Sequence, residues 1–425
     1  RDRPEGQEYC KKLAVLARKL DPDKAVTMGV NLMLCSMSAK GGGIYGNKKN
    51  GKENQNGSQT MDNVPTSAFF NMLMNLAGGM IEKMAAKPAA DDATKVSFSY
   101  LDIGGYNYAA SRYEKDGTLH PDRVIVGSET LPKNLYHNWQ LVKKFPYVIG
   151  DFMWTGWDYL GEAGIGTVRY KSFKNPGQDA PIISAGCGVI DICGKLRPEV
   201  QWNRLIWGLD HTPGIGVEPY THAGETGSES MWRDTDAVAS WSWAGCEGKK
   251  TKVTVYSDGE TAELIVNGHS YGRKKTKEYK AVFKHVVYEP GTITAISYDG
   301  EGKEQSRTSM KTAAGPAELR VVADRSTLQA KTQDLAYISI DLTGADGITK
   351  SSEDTAVTVE VAGAGTLLAL GSARPNMGEN FFSDTHTTYY GKALAVVRGG
   401  DAPGKITVTV KAKGLQAKTL ELEVI

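Results

Sequence analysis

This 425-residue chain is predicted to join two architectures, an α/β part through residue 211 and two all-β domains after it. Three observations carry that prediction. Over the first two hundred residues, short β-branched runs alternate with helical stripes, the pattern of a parallel sheet buried on both faces. After residue 211 the apolar period changes from 3.6 to 2. Turn signals then recur at the spacing of short antiparallel strands.

Pro4 opens a helix over 5–20, with an apolar stripe at Leu13, Leu16, Ala17 and Leu20. Asp21-Pro22-Asp23 ends it, and a buried strand follows at 25–31. Residues 36–63, rich in Gly, Asn, Lys and Ser, read as a long loop or insertion. A Met-rich helix over 68–86 reads as core packing. Further strands are expected at 96–103, 124–128 and 147–153, the first ending in Gly104-Gly105-Tyr106-Asn107-Tyr108. Residues 134–144 form one amphipathic helix between the last two, and 198–207 a final helix. Four strand–helix units make half of a (β/α)₈ TIM barrel. Four strands do not close a barrel and leave two apolar edges, so the other half is expected upstream of Arg1. The opening Arg1-Asp2-Arg3-Pro4 is neither an initiator methionine nor a signal peptide.

Beyond 211, alternating runs at 237–243, 252–256, 262–266 and 291–296 are separated by turns at Ser257-Asp258-Gly259 and Asn267-Gly268. After Ala313-Ala314-Gly315-Pro316 a second set follows at 318–323, 335–343, 356–361, 393–397 and 406–411. The expected domains are 1–211, the half barrel, then two immunoglobulin-like β-sandwiches at 212–313 and 314–425.

Hydrophobic residues at 40% and charged residues at 23% are those of an ordinary globular protein. A net charge of +1 gives no electrostatic reason to expect nucleic acid or a membrane surface as partner, and no apolar run approaches the ~20 residues of a membrane span. Cys10, Cys35, Cys187, Cys193 and Cys246 are too scattered for a disulfide framework, and the six-residue spacing of Cys187 and Cys193 has no companion ligand pair for zinc. No metal or cofactor is expected.

The chemistry concentrates between residues 124 and 162. Val124-Ile125-Val126-Gly127-Ser128-Glu129-Thr130 ends an apolar run on a carboxylate, and Phe152-Met153-Trp154-Thr155-Gly156-Trp157-Asp158 ends the next on two indoles. In a (β/α)₈ barrel the reacting groups sit where strands end. A carboxylate beside indole rings is equipment for cleaving a sugar: one oxygen attacks the anomeric carbon and the flat rings stack on the pyranose face. Strand alternation favours Trp154 over Trp157 for the pocket. Tyr106 and Tyr108 point the same way by that rule. Asp151 and Glu162 suit structural or loop-ordering work, and Asn31 either reaches the pocket or forms a turn. His120 and His137 have no partners at the spacing of a Ser-His-Asp site.

Residues 102–108, 124–130 and 152–162, with the stretches "GYNYAASRYEKDGTLHPDRVIVGSET" and "VIGDFMWTGWDYLGEAGIG", resemble the C-terminal part of glycoside hydrolase family 2 enzymes of the bacterial β-galactosidase type. The likeness extends through the accessory domains to the segments at 371–376 and 391–398. It implies a retaining exo-β-glycosidase acting on terminal β-galactosides, with Glu129 as nucleophile of a glycosyl-enzyme intermediate. It further implies that Tyr108 hydrogen-bonds the nucleophile with Asn107 beside it, that Trp154 floors the sugar subsite, and that Asp158 binds sugar hydroxyls. The family's acid/base glutamate belongs to an Asn-Glu pair, and this chain has none in the matching place. The resemblance therefore implies an upstream half of the same enzyme that supplies it, and a chain with no ordinary turnover by itself. β-Glucuronidases of the family carry Asn-x-Lys after the eighth strand. No Asn-x-Lys follows Trp154 here, which favours a neutral sugar, although a β-glucuronidase or another family 2 glycosidase remains the alternative. A rival reading makes the sandwiches a carbohydrate-binding or interaction module, with Trp232, Trp241, Trp243 and Tyr256 as candidate platform rings. Trp241 and Trp243 alternate inward, like core residues. Sandwich faces also offer an oligomer interface.

Overall fold

Four strands pair side by side in chain order: β1 (Thr27–Asn31), β2 (Ile103–Asn107), β3 (Val124–Thr130) and β4 (Val148–Met153). All three pairings are parallel. The computed structural model describes residues 3–39, 85–170, 182–228, 230–233, 235–376 and 378–425. Contacts divide the chain into two compact units, Arg1–Gly156 with Glu229–Asp234, and Trp157–Ser228 with Thr235–Ile425. Residues 157–211 thus group with the β-rich part, whereas the sequence division assigned them to the α/β part.

In the first unit, β-branched residues fill the sheet: Val30, Ile125, Val126 and Val148 are buried. Helices Leu32–Ala39, Pro88–Phe98, Tyr113–Leu119 and Leu135–Lys144 stand among the strands. Parallel neighbours require such crossovers, because a hairpin turn cannot join them. The expected strand at 96–103 begins inside a helix that ends at Phe98. Pro88 starts it, and Ala90, Ala93, Thr94, Ser97 and Phe98 form its buried face. The strand begins only at Ile103 and runs through Gly104 and Gly105, residues of low strand propensity. Packing explains the glycines: a Cβ at Gly105 would lie 2.6 Å from the Met28 carbonyl oxygen. The helix Pro4–Leu20 forms as expected, but it buries Cys10 and Ala14 while Leu13, Leu16 and Leu20 stay exposed. On β4, Ile149 and Phe152 are exposed as well. The predicted loop at 36–63 begins inside the helix Leu32–Ala39. Its remainder, and nearly all of the predicted helix at 68–86, lie outside the described residues.

The second unit contains two sandwiches, each with its own apolar core. In the first, the sheet β5 (Gly214–Val217), β6 (Lys250–Tyr256) and β9 (Lys280–Val287) faces a sheet ordered β11-β10-β7-β8. Those four strands are Glu304–Lys311, Thr292–Tyr298, Thr261–Val266 and His269–Lys275. Asn267 and Gly268, at φ 48° and 83°, close the β7–β8 hairpin, as the Asn-Gly signal predicts. Ser257-Asp258-Gly259 joins strands of different sheets, so it is a corner between layers. Residues 237–243 make a single bridge, Val238 to Val217, and are not a strand. The helix Glu199–Trp207 packs on β5 and β6, and its Trp202 indole donates to the Glu278 carbonyl at 2.8 Å. Contacts group this helix with the second unit.

The second sandwich contains the five expected strands and adds four that were not expected, Thr327–Leu328, Gly365–Gly371, Thr385–Thr387 and Lys418–Val424. β12 (Glu318–Ala323), β14 (Leu335–Thr343), β18 (Lys392–Gly399) and β16 (Gly365–Gly371) form one sheet. β13 (Thr327–Leu328), β20 (Lys418–Val424), β19 (Gly404–Ala412), β15 (Ala356–Gly363) and β17 (Thr385–Thr387) form the other. None of the five cysteines forms a disulfide among the described residues.

Candidate active site

Asn31, Asn107 and Glu129 stand at the C-terminal ends of adjacent parallel strands, and Trp154 directly follows the fourth. This is the edge of a parallel sheet where ligands gather. Asn31 turns away from chemistry: its Oδ1 accepts the Leu34 N–H at 3.0 Å and caps the helix that starts at Leu32.

Asn107 and Glu129 are brought together. The Asn107 amide donates from Nδ2 to Glu129 Oε2 at 2.6 Å. On the other side of the amide, the Ser128 hydroxyl donates to Asn107 Oδ1 at 2.7 Å. Consecutive residues of a regular strand point to opposite faces, yet Ser128 and Glu129 both reach Asn107. The register makes this possible: Tyr106 pairs with Gly127 and Asn107 pairs with Glu129, so Ser128 is the extra residue of a bulge. The cluster also needs empty space beneath it. A Cβ on Gly29 would lie 2.8 Å from Asn107 Oδ1, and one on Gly105 2.9 Å from Ser128 Oγ. Glycines inside strands signal such close approach, and this was the sequence clue to Ser128 that strand alternation concealed.

Tyr108 leaves the strand at φ 52°, an uncommon region for a bulky residue that concentrates near functional sites. Its N–H donates to the Glu129 carbonyl at 2.8 Å. Its hydroxyl accepts from Trp232 Nε1 at 3.1 Å, with the rings edge to face. Tyr106 and Tyr108 therefore do not share a face. Tyr106 is fully buried, donating to Asp116 at 2.6 Å and accepting from Arg123 at 2.9 Å. Trp232, offered by the sequence as a sandwich platform, is buried in the first unit; nothing in its periodicity indicates that placement. Trp241, Trp243 and Tyr256 are buried core rings, so those four candidates give no exposed platform. The Trp154 N–H donates to the Thr130 carbonyl at 2.8 Å, and a cis peptide links Trp154 to Thr155. Trp157 is 57% exposed.

Asp158 lies in the second unit and is buried. One oxygen accepts the N–H groups of Gly186 and Tyr159, and the other meets Arg197 at 3.3 Å. Both oxygens take part in ordering loops. Asp151 is also occupied locally. Thr130 donates to its Oδ2 at 2.9 Å, and burial pushes its carboxyl up to about 7 against the opposing Thr130 and Asn138 hydrogen bonds. Asp91, Asp116 and His120 converge as metal ligands might be arranged, but the buried Arg112 guanidinium already pairs with both carboxylates.

The structure thus places a hydrogen-bonded carboxylate at the C-terminal edge of a four-stranded parallel sheet, in a chain that also carries two sandwiches. Comparison with known proteins shows what such a chain is similar to. The model for glycoside hydrolase family 2 C-terminal domain 5 matches residues 319–421, and a domain of unknown function (DUF4982) matches 248–306. A β-galactosidase of Bacteroides ovatus is 26% identical over 284 residues, 67% of this chain and 29% of that protein. A Formosa agariphila protein provisionally named a β-glucuronidase is 23% identical over 282 residues, 64% of this chain and 24% of that protein. A family 2 glycosyl hydrolase structure from Bacteroides cellulosilyticus superposes with TM-score 0.75 at 28% identity, covering all of this chain and 48% of that one. The chain is thus similar to the C-terminal portion of glycoside hydrolase family 2 proteins, with the family's C-terminal domain matched at residues 319–421. It spans about half the length of that structure and under a third of the curated relatives it matches.

Proposed function

We propose that the chain is the C-terminal portion of a retaining exo-β-glycosidase, with Glu129 as the nucleophile and terminal β-galactosides as substrate. The observation that carries this is the 2.6 Å hydrogen bond from Asn107 to Glu129 at the C-terminal edge of the parallel sheet. A nucleophilic carboxylate has to be ionised and aimed. Asn107 serves both needs, since its N–H favours the charged form and fixes the direction of the carboxylate that attacks the anomeric carbon.

In this reading the four strands are the second half of a (β/α)₈ barrel and the two sandwiches are immunoglobulin-like accessory domains. Tyr108, whose hydroxyl accepts from Trp232, donates its hydroxyl proton to the nucleophile in this reading. Trp154 forms the floor of the sugar subsite. The second step needs an acid/base carboxyl about 5 Å from the nucleophile, which the upstream half of the whole enzyme provides. A galactoside is favoured over a glucuronide because no Asn-x-Lys follows Trp154 to hold a sugar carboxylate.

A 2-deoxy-2-fluoro-β-galactoside with a dinitrophenolate leaving group tests the central assignment. That leaving group departs without a general acid, so labelling depends on the nucleophile alone. The expected result is one sugar adduct on the peptide carrying Glu129, absent in Glu129→Gln. An adduct on another carboxylate, or equal labelling of the variant, sinks the proposal.

A further inference from the structure

Within the second unit, the two sandwiches enclose a cleft of about 390 Å³, large enough for one or two sugar residues. Its walls come from both: Ser240 and Lys311 from the first, and Thr349, Ser351 and Lys392 from the second. The position of Lys392 follows from the turn before it. Gly391, at φ 71°, sits so close to the 348–351 loop that a Cβ would be 2.7 Å from the Lys350 carbonyl oxygen. That approach sets the first residue of β18 against the cleft.

Lys392 is half-buried, and among the described residues its ammonium has neither a hydrogen bond nor a carboxylate within ion-pair distance. Its cross-strand neighbour Asp341 is already taken. Lys195 lies 3.8 Å from that carboxylate and donates to Ser339 at 2.9 Å. Burial holds the Lys392 amine below its ordinary pKa, with Lys195 adding to the effect and Asp341 and Asp191 opposing it. An ammonium withdrawn from water without a partner costs stability. Lys392 lines an open cleft whose walls also carry a second lysine, Lys311, and three hydroxyls that can both donate and accept.

We infer that this cleft is a second carbohydrate-binding site, separate from Glu129, in which Lys392 receives the carboxylate of an acidic sugar residue and the Ser240, Thr349 and Ser351 hydroxyls bond its ring hydroxyls. Such a site would let an enzyme whose reacting pocket takes a neutral sugar hold on to a glycan that also carries uronate residues. The inference stands independently of the glycosidase reading, because it uses no residue of the parallel sheet.

Calorimetric titration of the 425-residue chain with galacturonate and a galacturonate trisaccharide tests it, with galactose and a tri-aspartate peptide as controls. Saturable uronate binding is expected, unchanged in Glu129→Gln and weakened about tenfold or more in Lys392→Met, the loss of one charge-assisted hydrogen bond. Thermal melting of Lys392→Met without ligand should occur at the wild-type temperature or above it, which separates lost binding from lost folding. Uronate binding that vanishes in Glu129→Gln places the ligand in the reacting site and overturns the inference. So does binding unaffected by Lys392→Met, tri-aspartate binding as tightly as the uronates, or no uronate binding at all.

Discussion

Between β14 and β18, Ala336, Ile338 and Ile340 stand opposite Val397, Ala395 and Ala393, and all six are fully buried. Between β2 and β3, the last residues in register are Asn107 and Glu129, with Ser128 pushed out beside them and glycines underneath. The first arrangement repeats with period two and holds together by apolar area removed from water. The second departs from strand alternation and gives its interior to hydrogen bonds. The sandwiches can be expected to lose stability when altered, and the sheet edge to lose reactivity.

The largest expected effect follows from the sandwich side of that contrast. Ile338→Ala removes side-chain atoms from the middle of the second core, where Ile338 has no solvent exposure. A cost of about 2–5 kcal/mol is expected for such a truncation. Differential scanning calorimetry should show a lowered transition, while the rate of fluorosugar labelling at Glu129 near 20 °C stays at the wild-type value. A labelling rate that drops with the melting temperature would mean the two regions are not independent, and the comparison would break.

The contrast also explains what was legible in the sequence. Five strands of the second sandwich were readable, because residues such as 335–343 alternate, whereas Gly365–Gly371, Lys418–Val424 and the short strands Thr327–Leu328 and Thr385–Thr387 were missed. The parallel sheet was legible in number and order. β2 was misplaced because Val96 and Phe98 resemble a strand while packing as a helix face, and because the true strand holds Gly104 and Gly105. Glu129, Asn107 and Tyr108 came from the resemblance and from the strand-end position. Ser128 was hidden, since alternation sends it to the opposite face from Glu129 and only the bulge reverses that. Trp232 was hidden for a different reason: it is more than a hundred residues from Tyr108 in the chain, and no local period encodes such a contact.

Asp151 sharpens the comparison through pH. Its folded carboxyl titrates near 7, raised by burial from an ordinary value of 3.8, so between those values the folded state binds more protons than the unfolded state. Stability from this group is therefore greatest below pH 4, falls as the pH rises toward 7, and is flat above it. The span is on the order of a few kcal/mol. Asp151→Asn keeps an acceptor for Thr130 and removes the titration. Melting temperatures from pH 4 to pH 8 should decline for the wild type and decline less for the variant. Parallel curves would show that Asp151 is hydrated in solution and carries no such penalty.

The smallest effect, and the closest test of the sheet edge, comes from Ser128→Ala. An ionised Glu129 only accepts hydrogen bonds, so it has to face the NH₂ side of Asn107. The Ser128 hydroxyl rewards that same orientation by donating to Oδ1 at 2.7 Å, and a flipped amide would present oxygen to the carboxylate. Removing the hydroxyl takes away one neutral hydrogen bond, worth about 1 kcal/mol, and leaves the Asn107–Glu129 bond able to form. Labelling by the fluorosugar should slow about fivefold with little change in melting temperature, whereas Asn107→Ala should slow it tenfold or more because a charge-assisted bond is lost. If Ser128→Ala labels as fast as the wild type while Asn107→Ala does not, Glu129 alone orients the amide, and the bulge at Ser128 serves to aim the carboxylate without helping to hold its donor.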